Sequence, residues 1–139
     1  MDEEECWYEK LAKGAIFSEI DSAGNISYVS KKFSDLTKYS SDELLGKQHD
    51  IISNSNLPES IIQSFKQSIQ AGRVFNSVFR TKTKDGNYYW VDSTIVPIRG
   101  KNGNVNKFID IWYPIVGTRM AEYLFERQVD KINSDLHMK

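Results

Sequence analysis

The sequence predicts a single antiparallel α+β domain, and three observations carry that prediction. First, "AIFSEID" and "NISYVS" read as strands joined by the tight turn Ser22-Ala23-Gly24-Asn25. Second, three more strands, roughly Val74–Thr83, Tyr88–Arg99 and Asn106–Ile115, meet at Lys84-Asp85-Gly86 and at Gly100-Lys101-Asn102-Gly103-Asn104. Both joints are rich in residues that tolerate positive φ. Third, Ile61, Ile62, Phe65 and Ile69 form one apolar stripe on a helix that Pro58 opens and Ala71-Gly72 closes. Consecutive hairpins with a helix between them give antiparallel pairing.

The remaining elements follow in chain order. Residues 3–13 have helical composition, with Trp7, Tyr8 and Leu11 on one side and Gly14 as the stop. Phe33, Leu36 and Thr37 are spaced as on a helix, and Ser41, Leu44 and Leu45 predict a serine-capped helical turn ending at Gly46. After Pro114 and Gly117, the residues Ala121, Phe125, Val129, Ile132 and Leu136 form a seam of barely two heptads. The expected layout is a cap helix over 1–13, a core over 14–116 and a signalling or dimerisation helix over 117–139.

Composition excludes several classes. A net charge of −1 makes no electrostatic case for nucleic acid or an anionic membrane. No run approaches the ~20 apolar residues of a membrane span, and the acidic start "MDEEEC" is unlike a secretory signal. Cys6 is the single cysteine, which excludes a disulfide framework and a thiolate metal cluster and fits a reducing, cytoplasmic setting. The two histidines lie far apart, and no HExxH, GxSxG or phosphate loop is present, so an enzyme is not expected.

"KTKDGNYYWVDSTIVPI" is apolar or aromatic on both faces of one strand. Alternation sends Tyr89, Val91, Ser93 and Ile95 one way and Tyr88, Trp90, Val96 and Ile98 the other. Trp90, Val96 and Ile98, beside Ile109, Ile111 and Tyr113, would form an outer patch larger than soluble monomers usually expose. Its expected covers are the Trp7/Leu11 helix, the C-terminal helix or a second subunit.

From about Gly14 to Pro114 the chain resembles the PAS domain family. The matching stretches are "GNISYVSKKFSDLTKYSSDELLGK", "HDIISNSNLPE", "AGRVF" and "KDGNYYWVDSTIVPIRGKNGNVNKFIDI". The resemblance implies a five-stranded antiparallel sheet in the order 2-1-5-4-3, helices over its inner face around a pocket, and flanking helices that dimerise and carry signals. It implies a sensory module of a bacterial-type signalling protein, of the kind found in two-component and chemotaxis systems. A homodimer and an effector domain or partner signalling protein are the implied partners. The chain is then expected to be one piece of a longer protein. Pro114 stands where the family usually has the aspartate of an Asp-Ile-Thr signature, so a stiff kink at Pro114 and Gly117 is expected to link sheet and exit helix.

The expected pocket lining is His49, Ser53, Asn54, Phe79, Thr81, Val91, Ser93, Asp110 and Trp112, with a small-molecule ligand as one occupant. The expected interface is Trp7, Leu11, Trp90, Val96, Ile98, Ile111, Phe125, Val129 and Ile132. A cofactor-free relay is the first reading. FAD is the leading cofactor candidate, because "GKQHDIISNSNLP" is similar to the flavin-binding PAS domains of aerotaxis receptors and nitrogen-fixation regulators, with His49, Ser53, Asn54 and Pro58 in similar places. The same residues also read as a turn and helix cap. In the blue-light branch, amides on the last three strands hold the ring; here those places carry Thr81, Val91 and Trp112. The aerotaxis-type Trp-x-Gly is replaced by Phe75-Asn76-Ser77, and Cys6 lies outside the core, so a photoadduct is excluded. Haem is a lesser candidate, with His49 as its axial ligand. Asp110 falls on the inner face with Phe108 and Trp112, where it would need a donor from a ligand, His49 or Thr81; a wet position, or a register slip of one, is the alternative.

Overall fold

Turn and cap chemistry fixes where each element begins. The computed structural model describes residues 14–49 and 57–137, so the expectations for Trp7, Leu11, Ser53 and Asn54 lie outside the described residues. Strand β1 (Ile16–Asp21) returns as β2 (Ile26–Val29) through a turn in which the Asp21 carboxylate accepts the N–H groups of Ala23 and Asn25, each at 2.9 Å. Helix α1 (Lys31–Thr37) starts at Ser30, whose hydroxyl oxygen accepts the N–H groups of both Phe33 and Phe17 and so ties the cap to β1. Helix α2 (Ser41–Leu44) is capped by Ser40, which forms a capping box with Glu43. The serine cap therefore lies one residue before the expected Ser41.

Helix α3 (Glu59–Ala71) ends where Gly72 adopts φ 66°. Strands β3 (Phe75–Lys82), β4 (Tyr88–Arg99) and β5 (Val105–Pro114) follow within a residue of their expected bounds. The sheet order is β2-β1-β5-β4-β3, antiparallel throughout. This is the α+β architecture that the sequence implies.

The inner face carries two apolar clusters. One joins Ile26, Val29, Phe33, Leu44, Phe79, Val91 and Trp112. The other joins Ile20, Ile61, Phe75, Ile95 and Phe108, with Phe65 and Ile69 of α3 packed on it. A diagonal polar row runs between them. Cross-strand pairing places Ser18 opposite Asp110, and Ser93 opposite both Trp112 and Ser77. Ser18, Asp110, Ser93 and Ser77 are all buried.

Helix α4 (Thr118–His137) follows β5 after a short link in which the Ile115 N–H donates to the Trp90 carbonyl at 2.9 Å and Gly117 adopts φ 101°. A positive φ there lets the chain turn sharply without the clash a Cβ would bring. Ala121 is fully buried, and the Phe125 ring meets Trp90 edge-on at 5.6 Å. Val129 and Ile132 pack against the second inner cluster. The helix thus crosses the free edge of β3, from the outer face of the sheet to the α3 side. Phe125, Val129 and Ile132 of the seam pack against their own chain, so the C-terminal helix, one of the three expected covers, lies over Trp90; periodicity demands an apolar neighbour without saying which one. On the outer face Trp90, Val96, Ile98 and Ile111 are half-buried and Ile109 is buried, whereas Tyr113 is 63% exposed.

Candidate functional site

Strand alternation turns Asp110 inward, where it is 0% exposed. An isolated carboxylate there would cost several kcal/mol, so its partners decide whether the site is tenable. Three donors surround it. The Ser93 hydroxyl donates to Oδ1 at 2.5 Å, the Trp112 indole Nε1–H donates to Oδ2 at 3.0 Å, and His49 Nε2 lies 2.6 Å from Oδ2. The imidazole also stacks on Phe65, with ring centroids 5.6 Å apart. His49 is 61 residues from Asp110 in sequence, and a main-chain bond from its N–H to the Gly24 carbonyl (3.0 Å) anchors it to the β1–β2 turn. The pair therefore ties the turn region to the middle of the sheet and to α3.

Beside this network lies a cavity of about 350 Å³. Its walls are apolar where α3 supplies Ile61, Phe65 and Ile69 and where the sheet supplies Phe75, Phe79 and Ile95. His49, Ser77 and Ser93 are the buried polar residues of the lining, with Gln48, Lys66 and Gln70 also contributing. A small apolar cleft with a few convergent polar groups is the usual form of a ligand site.

The expected lining is only partly brought together. His49, Phe79 and Ser93 line the cavity, and Asp110 stands behind two of them. Val91 and Trp112 do not line it: the indole lies 4.6 Å from Phe33 and 5.9 Å from Phe79, centroid to centroid, and fills that half of the core. Thr81 is buried on β3, also away from the cavity lining.

These packings bear on the cofactor candidates. A flavin ring held at Thr81, Val91 and Trp112 would meet a filled cluster and an indole N–H already committed to Asp110. The cavity is the better candidate, because Phe65 and Phe75 give its lining aromatic apolar surface while His49, Ser77 and Ser93 offer polar atoms for a heterocycle edge. Haem ligation would have to use Nδ1 of His49, since Nε2 faces Asp110.

Gln128 of α4 is the residue that the sequence pattern passed over. Its Oε1 accepts the Val78 N–H at 2.7 Å, and its Nε2 donates to the Val78 carbonyl at 2.6 Å and to Ser77 Oγ at 3.1 Å. The amide acts as a short substitute strand on the open edge of β3. The signal in the sequence was a glutamine three residues after Phe125 and one before Val129, inside an otherwise apolar stripe.

A profile of the family described as PAS fold matches residues 26–111. The chain belongs to the PAS family. Among curated proteins, this PAS domain is similar to a bacterioopsin transcriptional activator of Halobacterium salinarum, 29% identical over 116 residues, covering 78% of the chain and 17% of that protein. It is similar to the aerotaxis receptor of Escherichia coli, 21% identical over 96 residues, covering 69% of the chain and 19% of the receptor. The nitrogen fixation regulatory protein of Klebsiella pneumoniae is 26% identical over 89 residues, covering 64% of the chain and 18% of that protein. The chain thus spans less than a fifth of each of these relatives.

Among solved structures, a light-oxygen-voltage domain described with a flavin analogue superposes with a TM-score of 0.79 at 19% identity, covering 91% of this chain and 96% of that one. The PAS domain of the fruit-fly ELK potassium channel superposes with a TM-score of 0.74 at 20% identity, covering 84% of this chain and 100% of that one. PAS domains are non-catalytic sensory modules, and that is the class of this chain. Among the described residues no group of three or more His, Cys, Asp or Glu is placed to hold a metal ion, and no helix is long and apolar enough to cross a membrane.

Proposed function

We propose that this PAS domain senses a small molecule in the cavity beside His49 and passes the occupied state to helix α4. One observation carries the reading: Gln128 joins Ser77, which lines the cavity, to the open edge of β3, on which α4 rests. A ligand that shifts Ser77 or β3 would disturb those bonds and loosen or reseat the helix. A homodimer, and an effector or partner signalling protein that reads α4, belong to the same proposal, as does a cytoplasmic setting. The test is hydrogen exchange at the α4 amides in Ile95→Phe, which places an aromatic ring into the cavity. Altered protection across 118–137 supports the relay, and protection equal to that of the unmodified chain refutes it.

A second reading is a redox sensor holding FAD. It is favoured by the likeness to the light-oxygen-voltage domain described with a flavin analogue and by the aromatic residues Phe65 and Phe75 in the cavity lining. The bound group would supply redox chemistry, while Ser77, Ser93 and His49 would orient its polar edge and α3 would exclude water. Yellow colour in the purified protein, or its appearance after incubation with excess FAD, supports this reading. Material that stays colourless after that incubation retires it.

A further inference from the structure

We propose that the cavity selects ligands that bring an N–H or O–H donor on a compact apolar body. The proposal rests on reading this cavity as the sensor pocket, and it adds the chemistry of the occupant. The two buried serines on the wall, Ser93 and Ser77, both donate their hydroxyl hydrogens within the protein. Ser93 gives its hydroxyl hydrogen to Asp110 Oδ1 at 2.5 Å. His49 presents Nε2 to Asp110 Oδ2 at 2.6 Å, an oxygen that also takes the indole N–H of Trp112 at 3.0 Å. Ser77 points its hydroxyl hydrogen at the Val78 carbonyl (3.4 Å) and accepts from Gln128 Nε2 at 3.1 Å.

The valences left over on the two serines are acceptors, because a hydroxyl that donates once keeps lone pairs. Asp110 fixes this sense for Ser93, since its Oδ1 takes the Ser93 hydrogen at 2.5 Å and its Oδ2 the Trp112 indole hydrogen at 3.0 Å. Against these two serines, apart from the exposed Gln48, Lys66 and Gln70 of the lining, a ligand edge made only of acceptors would meet lone pairs and lose its own hydration without compensation. A donor edge would find the Ser93 and Ser77 oxygens of the lining. The remaining walls, Ile61, Phe65, Ile69, Phe75 and Ile95, suit an apolar or aromatic body.

Indole and benzofuran test this directly, since the two bicycles share a shape and differ by N–H against ring oxygen. Both are titrated into the 15N-labelled full chain, following the amides of Phe65, Ser77, Ser93 and Ile95. Indole is expected to bind about tenfold more tightly, the size of one buried hydrogen bond. Ser77→Ala and Ser93→Ala should each narrow that gap. Benzofuran binding as well as indole, or neither binding at millimolar concentration, overturns the proposal. Should Ser93→Ala fail to fold, the comparison on the unmodified chain and on Ser77→Ala still decides. Hydrogen exchange of α4 in the same samples separates the two claims. Indole preference with an unresponsive α4 supports donor selection and removes the relay, whereas an α4 response to both bicycles alike removes donor selection and leaves the relay.

Discussion

Replacing Asp110 with alanine removes the acceptor on which three buried donors converge. The Trp112 indole is wedged between Phe33 and Phe79 and cannot turn its N–H to water. His49 is 7% exposed and has its imidazole stacked on Phe65, so it also loses its partner in place. Ser93 can rotate toward another acceptor and contributes least. Each stranded donor costs about 1–3 kcal/mol. Two of them, with the lost packing, bring the change to about 3–5 kcal/mol, the range seen when one partner of a buried pair is removed. Equilibrium urea unfolding, followed by tryptophan fluorescence and circular dichroism, measures it. For a domain of this size each kcal/mol moves the melting temperature by about 3–4 °C, so Asp110→Ala should melt roughly 9–20 °C lower. Asp110→Asn keeps one acceptor for Trp112 and should cost about 1–3 kcal/mol. A loss below about 1 kcal/mol for the alanine variant, with an unchanged denaturant slope, would refute the reasoning that the network holds the inner face together.

Other outcomes follow from the same geometry. Phe125→Ala should uncover Trp90, shift its emission to the red and cost about 2–3 kcal/mol, less than for a phenylalanine in the full core because Phe125 is half-buried; unchanged emission would place the helix elsewhere in solution. Gln128→Leu should speed exchange at the Val78 amide, which loses its acceptor, while the β5 amides stay protected; equal protection at Val78 would mean that the edge is capped by something else. The Lys84 ammonium, 2.7 Å from Glu43 Oε2, holds the Glu43 carboxyl below its ordinary value of 4.5. A depressed folded-state value means that the contribution is present above the ordinary carboxylate range and is lost as pH falls through the folded-state value, so it fades on acidification. NMR titration should show Glu43 returning toward its ordinary value in Lys84→Ala, and no movement there would remove Lys84 as the cause.

Much of this fold can be read from local chemistry. The alternation along 88–98 sets which face each residue takes, and the same period-two logic turns Asp110 inward, a placement that a slip of one residue would have reversed. The turn at Asp21–Asn25 and the stop at Gly72 are likewise visible as residue types. What local pattern cannot carry is the choice of partner. The stripe from Ala121 to Ile132 demands an apolar neighbour, and only the folded chain decides between a second subunit and the edge of β3. His49 is legible as a loop histidine, but its meeting with Asp110 depends on how the turn and loop close over the sheet. Trp112 sits at an inward position as expected, yet its bulk fills the space that a position-by-position alignment would leave for a ligand. The cavity moves toward α3 as a result, where Ser77 and Phe75 become lining residues. Gln128 was hidden for the opposite reason, as a polar residue inside an apolar stripe, and its role appears only when the unpaired groups of Val78 are considered.

The central claim is that the cavity and α4 are coupled through Gln128. Its most direct measurement is hydrogen exchange across 118–137 in four chains: the unmodified one, Ile95→Phe, Gln128→Leu and the double variant. The account predicts that Ile95→Phe changes α4 protection when Gln128 is present and has no further effect in Gln128→Leu. An Ile95→Phe effect of the same size in both backgrounds would contradict it.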